Sequence, residues 1–238
     1  MKILSWNVRG LGHPRTVRRL KNKLRHIKPQ ILFLIETKVT SKRMESIRRQ
    51  CGFTCGIDVA AVGTSGGLSL GWKEGGNVSL KSFSKSHIDV EIENEEETGS
   101  WRLTGFYGEP VENERKKTWD LLKYLKRESS KPWLTIGDFN KILFSFEKKG
   151  GRIRDERQMN ASRETLEYCK LYDLGFSGQW YTGKEVGWLT TTLGKDWTEV
   201  LQIWNSGTFF QNLRLATYNT VFQITVRSWL IQLGMKGY

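Results

Sequence analysis

Short apolar runs that end in a polar residue set the rhythm of the first 140 residues. Residues 2–7 are apolar up to Asn7 and are followed by Gly10 and Gly12, which predicts a buried strand and a break. Val17, Leu20, Leu24 and Ile27 then recur three and four residues apart, the spacing of a helix with one buried face. Arg18, Arg19, Lys21, Lys23 and Arg25 occupy the rest of its surface, and Pro29 stops it. A second run, 31–36, ends at Glu36, so the chain opens strand–helix–strand. Segments 53–60, 67–72, 77–83, 87–93 and 101–107 read as successive strands separated by Gly, Ser or charged turns. A helix follows over 113–127, with Trp119, Leu122 and Leu125 on one face, and then a strand over 132–138. A basic loop, Lys148 to Arg157, leads into a further helix over 158–172 that encloses Leu166 and Cys169. Many strands with few helices predict a layered α/β or α+β sandwich. The chain shows no internal repeat and no linker-like tract.

Composition narrows the partners more than the fold. At 238 residues the chain can bury a large single core. Its 38 Lys and Arg against 25 Asp and Glu leave a net charge of +13, which draws polyanions, nucleic acid first among them. Three cysteines, Cys51, Cys55 and Cys169, are too few and too odd in number for a disulfide framework. Without a nearby histidine or second cysteine pair they make a poor zinc site, so they read as small buried hydrophobes in a reducing compartment, nuclear or cytoplasmic. The opening Met-Lys-Ile-Leu-Ser-Trp lacks the apolar core of a signal peptide, and no 18-residue apolar run exists to cross a membrane.

The strand endings carry the candidate chemistry. A hard divalent cation takes oxygen ligands, and Mg²⁺ needs only one or two carboxylates beside water and phosphate. Glu36 fits that role, or that of a surface acid at a strand exit. Asn7 could orient a ligand or touch a phosphate, or form the turn before Gly10. Asp138 and Asn140, two apart, share one side of an extended backbone and could position a water, or close an Asx-turn. Tyr107, ending a strand, offers a phenol to a phosphate or leaving oxygen, or is a half-buried sheet residue. His87 reads as a histidine on the wet face of its strand. The loop cations Lys148, Lys149, Arg152, Arg154 and Arg157 could track a phosphate backbone or form a solvated run.

Five motifs occur together and in order. They are Ser5-Trp6-Asn7-Val8-Arg9-Gly10, Ile35-Glu36-Thr37-Lys38, Ser65-Gly66-Gly67-Leu68, Thr104-Gly105-Phe106-Tyr107-Gly108 and Gly137-Asp138-Phe139-Asn140. Over residues 1–182 the chain resembles the endonuclease/exonuclease/phosphatase family, most nearly the endonuclease domain of plant LINE-type (non-LTR) retrotransposons. Glu147 to Gly151, Gln158-Met159 and Asp173 to Gly178 extend the likeness. The resemblance implies a four-layer α/β sandwich, two β-sheets flanked by helices, here truncated or altered at the C-terminus where the motifs are missing, and Mg²⁺- or Mn²⁺-dependent hydrolysis of phosphodiesters in DNA. By motif position Glu36 would bind the metal, and Asn7 would support metal and phosphate. Tyr107 would contact the phosphate or leaving group, Asp138 would position or activate the attacking water, and Asn140 would hold water and phosphate. Thr182 matches a substrate-side position. Arg9 stands where abasic-site nucleases of the wider family carry an acid, which argues against strict abasic-site chemistry. An intact element would carry a reverse transcriptase domain downstream, and the endonuclease unit would be a monomer without membrane contact.

The resemblance stops near residue 182. The family continues with an Arg-Leu-Asp motif and closes with Ser-Asp-His, whose histidine contacts the scissile phosphate. Here no histidine follows His87. Residues 183–238 hold 8 charged residues in 56 positions, whereas the first 182 hold the other 55. Four of the ten tryptophans fall in this tail, and it shows no clean strand or helix period. A reading-frame shift accounts for both features. With Thr192 to Val200 written ACA TTA GGG AAA GAC TGG ACA GAG GTG, reading from the last base of the first codon gives Ile-Arg-Glu-Arg-Leu-Asp-Arg-Gly. With Thr220 to Arg227 written ACA GTT TTT CAG ATC ACT GTC CGN, the same shift gives Ser-Phe-Ser-Asp-His-Cys-Pro. Synonymous bases are free in this back-translation, yet both motifs return in one frame. One base lost near the Thr182 and Gly183 codons would produce that frame, and the tail would then leave sheet edges unpaired. The alternative is a divergent C-terminal region in its own frame.

Overall fold

The computed structural model describes residues 1–94, 99–111, 114–140, 156–173, 203–204, 213–218 and 221–226. Twelve strands and four helices are defined within them. Strand β1 (Lys2–Asn7), helix α1 (Pro14–Ile27) and strand β2 (Ile31–Ile35) form the opening unit. Helix α2 (Ser41–Gln50) and strands β3 (Cys55–Val59) and β4 (Leu68–Trp72) follow. Strands β5 (Asn77–Ser84), β6 (His87–Asn94) and β7 (Gly99–Tyr107) make an antiparallel meander. Helix α3 (Arg115–Arg127), strand β8 (Trp133–Asp138), helix α4 (Glu156–Cys169) and strand β9 (Tyr172–Asp173) come next. Strands β10 (Ile203–Trp204), β11 (Leu213–Tyr218) and β12 (Val221–Val226) complete the set.

Two six-stranded sheets result, ordered β11-β12-β1-β2-β4-β3 and β5-β6-β7-β8-β10-β9. Their packing explains why the first strands read as unbroken apolar runs: both faces are covered. On β1 and β2, Ile3, Ile31, Phe33 and Ile35 face the other sheet, meeting Ile88, Val90, Leu103, Leu134 and Ile136. The alternate residues Leu4, Trp6, Leu32 and Leu34 pack under α1 and α2, against Leu20, Leu24, Ile27, Met44 and Ile47. On the far side Phe106 and Trp133 meet Trp119, Leu122 and Leu125 of α3 and Leu166 and Cys169 of α4. The layers are thus helix, sheet, sheet, helix, the sandwich expected.

Four details differ from the sequence reading. Helix α2 was not anticipated, because only Met44 and Ile47 give it an apolar stripe; the third buried position is Arg48. Arg48 ion-pairs with Asp58 at 3.0 Å and donates to the Phe53 carbonyl at 2.8 Å, so burial of its charge is compensated. His87 is buried, not on a wet face. Its ring nitrogens lie 3.0 Å from Ser82 Oγ and 2.8 Å from Ser84 Oγ, and burial lowers its pKa. The last helix spans Glu156–Cys169, and a short strand takes Tyr172–Asp173. Finally, the segment without a clean period supplies β10, β11 and β12. Strand β12 pairs antiparallel with β1, Ser5 opposite Phe222 and Ile3 opposite Ile224, so β1 is not an unpaired edge. No described helix is long and apolar enough to cross a membrane.

Candidate active site

Strands β1 and β2 run parallel, as do β7 and β8. Their C-terminal ends open at one edge of the space between the sheets, the edge where α/β folds place ligands. The alternation that puts Ile3 on the inter-sheet face also puts Asn7 there, and Leu134, Ile136 and Asp138 share the facing side of β8. Asn7 is 8% exposed and Asp138 3%.

Asn7 links the two sheets. Its side-chain amide donates one hydrogen to Glu36 Oε1 and the other to Asp138 Oδ2, each at 3.0 Å. Its own carbonyl oxygen accepts from the Arg9 backbone N–H at 3.2 Å, which fixes the amide's orientation. Glu36 also accepts from the Tyr107 hydroxyl at 3.1 Å, and its second oxygen is 3.2 Å from the Lys38 ammonium. Asp138 Oδ1 accepts from the Asn140 backbone N–H at 3.0 Å, while the Asn140 amide donates to the Gly108 carbonyl at 2.7 Å.

The two carboxylates are tuned apart. Burial works to raise Glu36, but donors from Asn7, Lys38 and Tyr107, and the Lys38 charge, outweigh it and hold its pKa below the ordinary value. Burial dominates at Asp138 and pushes it up to about 6, against the opposing bonds from Asn7 and the Asn140 backbone. Burial first, then the charge of Glu36, raises Tyr107, so it remains a neutral phenol able to donate. The pair is therefore one ionised acid beside one poised to take up a proton near neutrality.

Close approach fixes this geometry. Gly137 has φ +147°, and a Cβ there would overlap the Phe106 carbonyl oxygen of the neighbouring strand. Gly137→Ala is expected to cost at least about 3 kcal/mol in urea unfolding, since strain and clash act together just before Asp138. Arg9, Glu36, Lys38 and Asn140 all take positive φ, near +50°, and all lie just past a strand end. The turn at 36–38 is held by Thr37 N–H to Gly67 O and Lys38 N–H to Gly66 O, each 3.1 Å.

The structure thus brings together Asn7, Glu36, Tyr107, Asp138 and Asn140. Thr182 and the loop cations Lys148, Lys149, Arg152 and Arg154 lie outside the described residues. Sequence reasoning assigned no role to Lys38, although its place two residues past a strand-end acid was a usable signal. Among the described residues no cluster of three His, Cys, Asp or Glu could hold a metal by itself. The donor set is nevertheless all oxygen around one ionised, half-buried carboxylate, which suits a hard divalent ion that keeps most of its waters.

Residues 4–211 match the model of the Endonuclease/Exonuclease/phosphatase family. Among solved structures, an AP endonuclease from Leishmania major superposes with a TM-score of 0.70 at 15% identity, covering 95% of this chain and 87% of that one. The endonuclease domain of TRAS1, a telomere-specific non-LTR retrotransposon, gives 0.63 at 16% identity, covering 95% and 98%. A 3′ phosphatase from Neisseria bound to a product DNA hairpin also gives 0.63 at 16%, covering 95% and 99%. At these identities the likeness is one of fold. A search of curated proteins gave no match.

Proposed function

We propose that this chain, which belongs to the endonuclease/exonuclease/phosphatase family, is a divalent-metal-dependent DNA endonuclease of the retrotransposon type with a much reduced rate. The family and its nuclease and phosphatase neighbours support a phosphodiester hydrolase. The observation that carries the reading is the Asn7 amide joined to Glu36 and Asp138 at once.

Glu36, with Asn7 beside it, would hold Mg²⁺ or Mn²⁺; when bound, such an ion supplies positive charge that offsets the charge on the phosphoryl oxygens. Asp138 accepts the proton of the attacking water. Asn140, whose backbone N–H holds Asp138, keeps that carboxylate aimed. Tyr107 donates its hydroxyl hydrogen to the phosphate or leaving oxygen once Glu36 is otherwise engaged. The net charge of +13 supports DNA as the polyanion cut.

The reduced rate follows from the sequence. No histidine follows His87, and His87 is buried between Ser82 and Ser84. The missing partner is one that would position and neutralise the phosphate. The same observation favours a second reading, a retroelement remnant that binds DNA without cutting it. We attribute residues 183–238 to the shifted frame described above, an origin that the run of the family match to residue 211 counts against. Genomic DNA in which the upstream frame lacks Ser-Asp-His, or carries early stops, would reject that origin.

Plasmid nicking in Mg²⁺ tests the function, with Glu36→Ala and Asp138→Ala as controls. Its pH dependence is a separate test. Asp138 must be deprotonated to act as a base, and its pKa is about 6. The rate should rise about tenfold per pH unit below pH 6 and level off above pH 7. A rate flat from pH 5 to 7 would remove Asp138 from the base role.

A further inference from the structure

On the outer helical layer a furrow runs the length of α1, with α2 as its other wall. Near the catalytic edge it passes between Arg18 and Arg43. Toward the opposite edge it is lined by Arg25, Lys28 and Lys73. Lys21 and Gln50 belong to both stretches, and the 3.1 Å hydrogen bond from Lys21 Nζ to Gln50 Oε1 joins the two walls. No carboxylate lines either stretch. Helix α1 contains no acid at all. Among the described residues Arg18, Arg25, Lys28, Arg43 and Lys73 make no ion pair, and all five are exposed. Elsewhere on the surface cations do find partners, as Arg49 does with Glu45 and Lys81 with Glu91.

The arrangement is linear. Arg18, Lys21 and Arg25 follow one another at steps of three and four, so they share one side of α1, and Lys28, its C-cap, continues the lining past the helix end. Seven residues at 1.5 Å rise carry the helical part of that stripe over about 10 Å. A small anion would need donors that converge on a point, whereas these are strung along a line. Val17 and Cys51 are only partly exposed along it, and Leu24, Ile47 and Phe53 are buried beneath, so the furrow offers contacts to phosphates and no stacking platform for bases. A duplex is too stiff and wide to sink its phosphates into a recess between two helices, while a single strand bends to follow it. We propose that the α1–α2 furrow is a track for single-stranded nucleic acid, separate from the edge that cleaves. Its near end lies at Pro14, past a loop that Leu11 N–H ties to the Thr37 carbonyl at 2.8 Å, so a strand leaving the catalytic edge has a direct way in.

The test is fluorescence anisotropy of the full chain with a labelled 12-nucleotide oligothymidylate and the matching oligouridylate, in EDTA so that cleavage plays no part. Arg25→Gln with Lys28→Gln should weaken both about tenfold. It should also reduce the slope of log affinity against log salt by about 1.4, two phosphate contacts at ~0.7 each. Both residues are exposed and unpaired, so the melting temperature should not move, and nicking of plasmid should match the parent. Glu36→Ala should bind both oligonucleotides like the parent, which keeps this result distinct from failure of the catalytic reading. A photo-crosslinking oligouridylate should attach within residues 14–28 or 41–50. Affinity of the double variant within twofold of the parent overturns the proposal. So does equal weakening of a 20-base-pair duplex, or crosslinks confined to the surroundings of Asn7 and Tyr107.

Discussion

Asp138→Ala is expected to lower the Mg²⁺-dependent nicking rate at least a hundredfold, and Glu36→Ala to lower it at least as far. A positioned base contributes about 10²- to 10⁴-fold, and Asp138 is buried with both oxygens held by donors, one from Asn7 and one from the Asn140 backbone. The loss should not reflect unfolding. Burial opposes ionisation of Asp138 and holds its pKa at about 6 even with the Asn7 and Asn140 donors in place. Alanine therefore relieves a buried charge as well as forfeiting two hydrogen bonds. Urea unfolding of the variant checks that it remains folded. Glu36→Ala differs in kind: in the proposed reading its ionised carboxylate holds the metal, so raising Mn²⁺ should recover part of the rate for Glu36→Ala and none for Asp138→Ala. Nicking unchanged in both variants would sink the site assignment. Nicking absent from the parent as well, with DNA still bound, would establish the remnant.

The strand endings were legible because each lies on a run buried on both sides. A polar residue at the end of such a run has nowhere to go but the sheet edge, so Asn7, Glu36 and Asp138 could be picked out singly. Their mutual bonds could not. Asn7 and Asp138 are 131 residues apart and belong to different sheets, and no local period reports a contact of that kind. Helix α2 was hidden for a related reason: Arg48 sits where an apolar residue would complete the stripe, and only its pairing with Asp58, a residue of β3, explains its burial. His87 was misplaced because its strand has helix-facing polar positions that satisfy one another, not water.

The backbone at the site is under more constraint than the sequence shows. Four non-glycine residues at positive φ follow the ends of β1, β2 and β8. Asn140 tolerates that region through its short polar side chain; Arg9, Glu36 and Lys38 do not gain the same relief. The hydrogen bonds of Thr37 and Lys38 to the Gly66–Gly67 turn oppose relaxation of the Glu36 turn. Such strain, held by the surroundings at the strand ends of the candidate site, is what a pre-organised site would show.

Restoring the upstream reading frame after Thr182 should raise the nicking rate by about 10²- to 10³-fold, the usual worth of one donor aimed at developing charge. On the frame-shift reading proposed above, the tail keeps a place in the fold without serving the reaction. Strand β12, Val-Phe-Gln-Ile-Thr-Val, pairs with β1 through backbone groups over residues 2–5. Pairing of that kind asks for β-prone residues and little else, and a wrong frame can supply them. Catalysis asks for one imidazole at one place, which a wrong frame cannot supply except by accident. The restored chain would carry Arg-Leu-Asp and Ser-Asp-His in the order the family requires. Changing the histidine of the restored Ser-Asp-His to alanine should return the rate to that of the present chain, with Kd for DNA shifted much less than the rate. A restored chain no faster than the present one would show that the C-terminal segment is a divergent sequence in its own frame and that the phosphate is held by other groups.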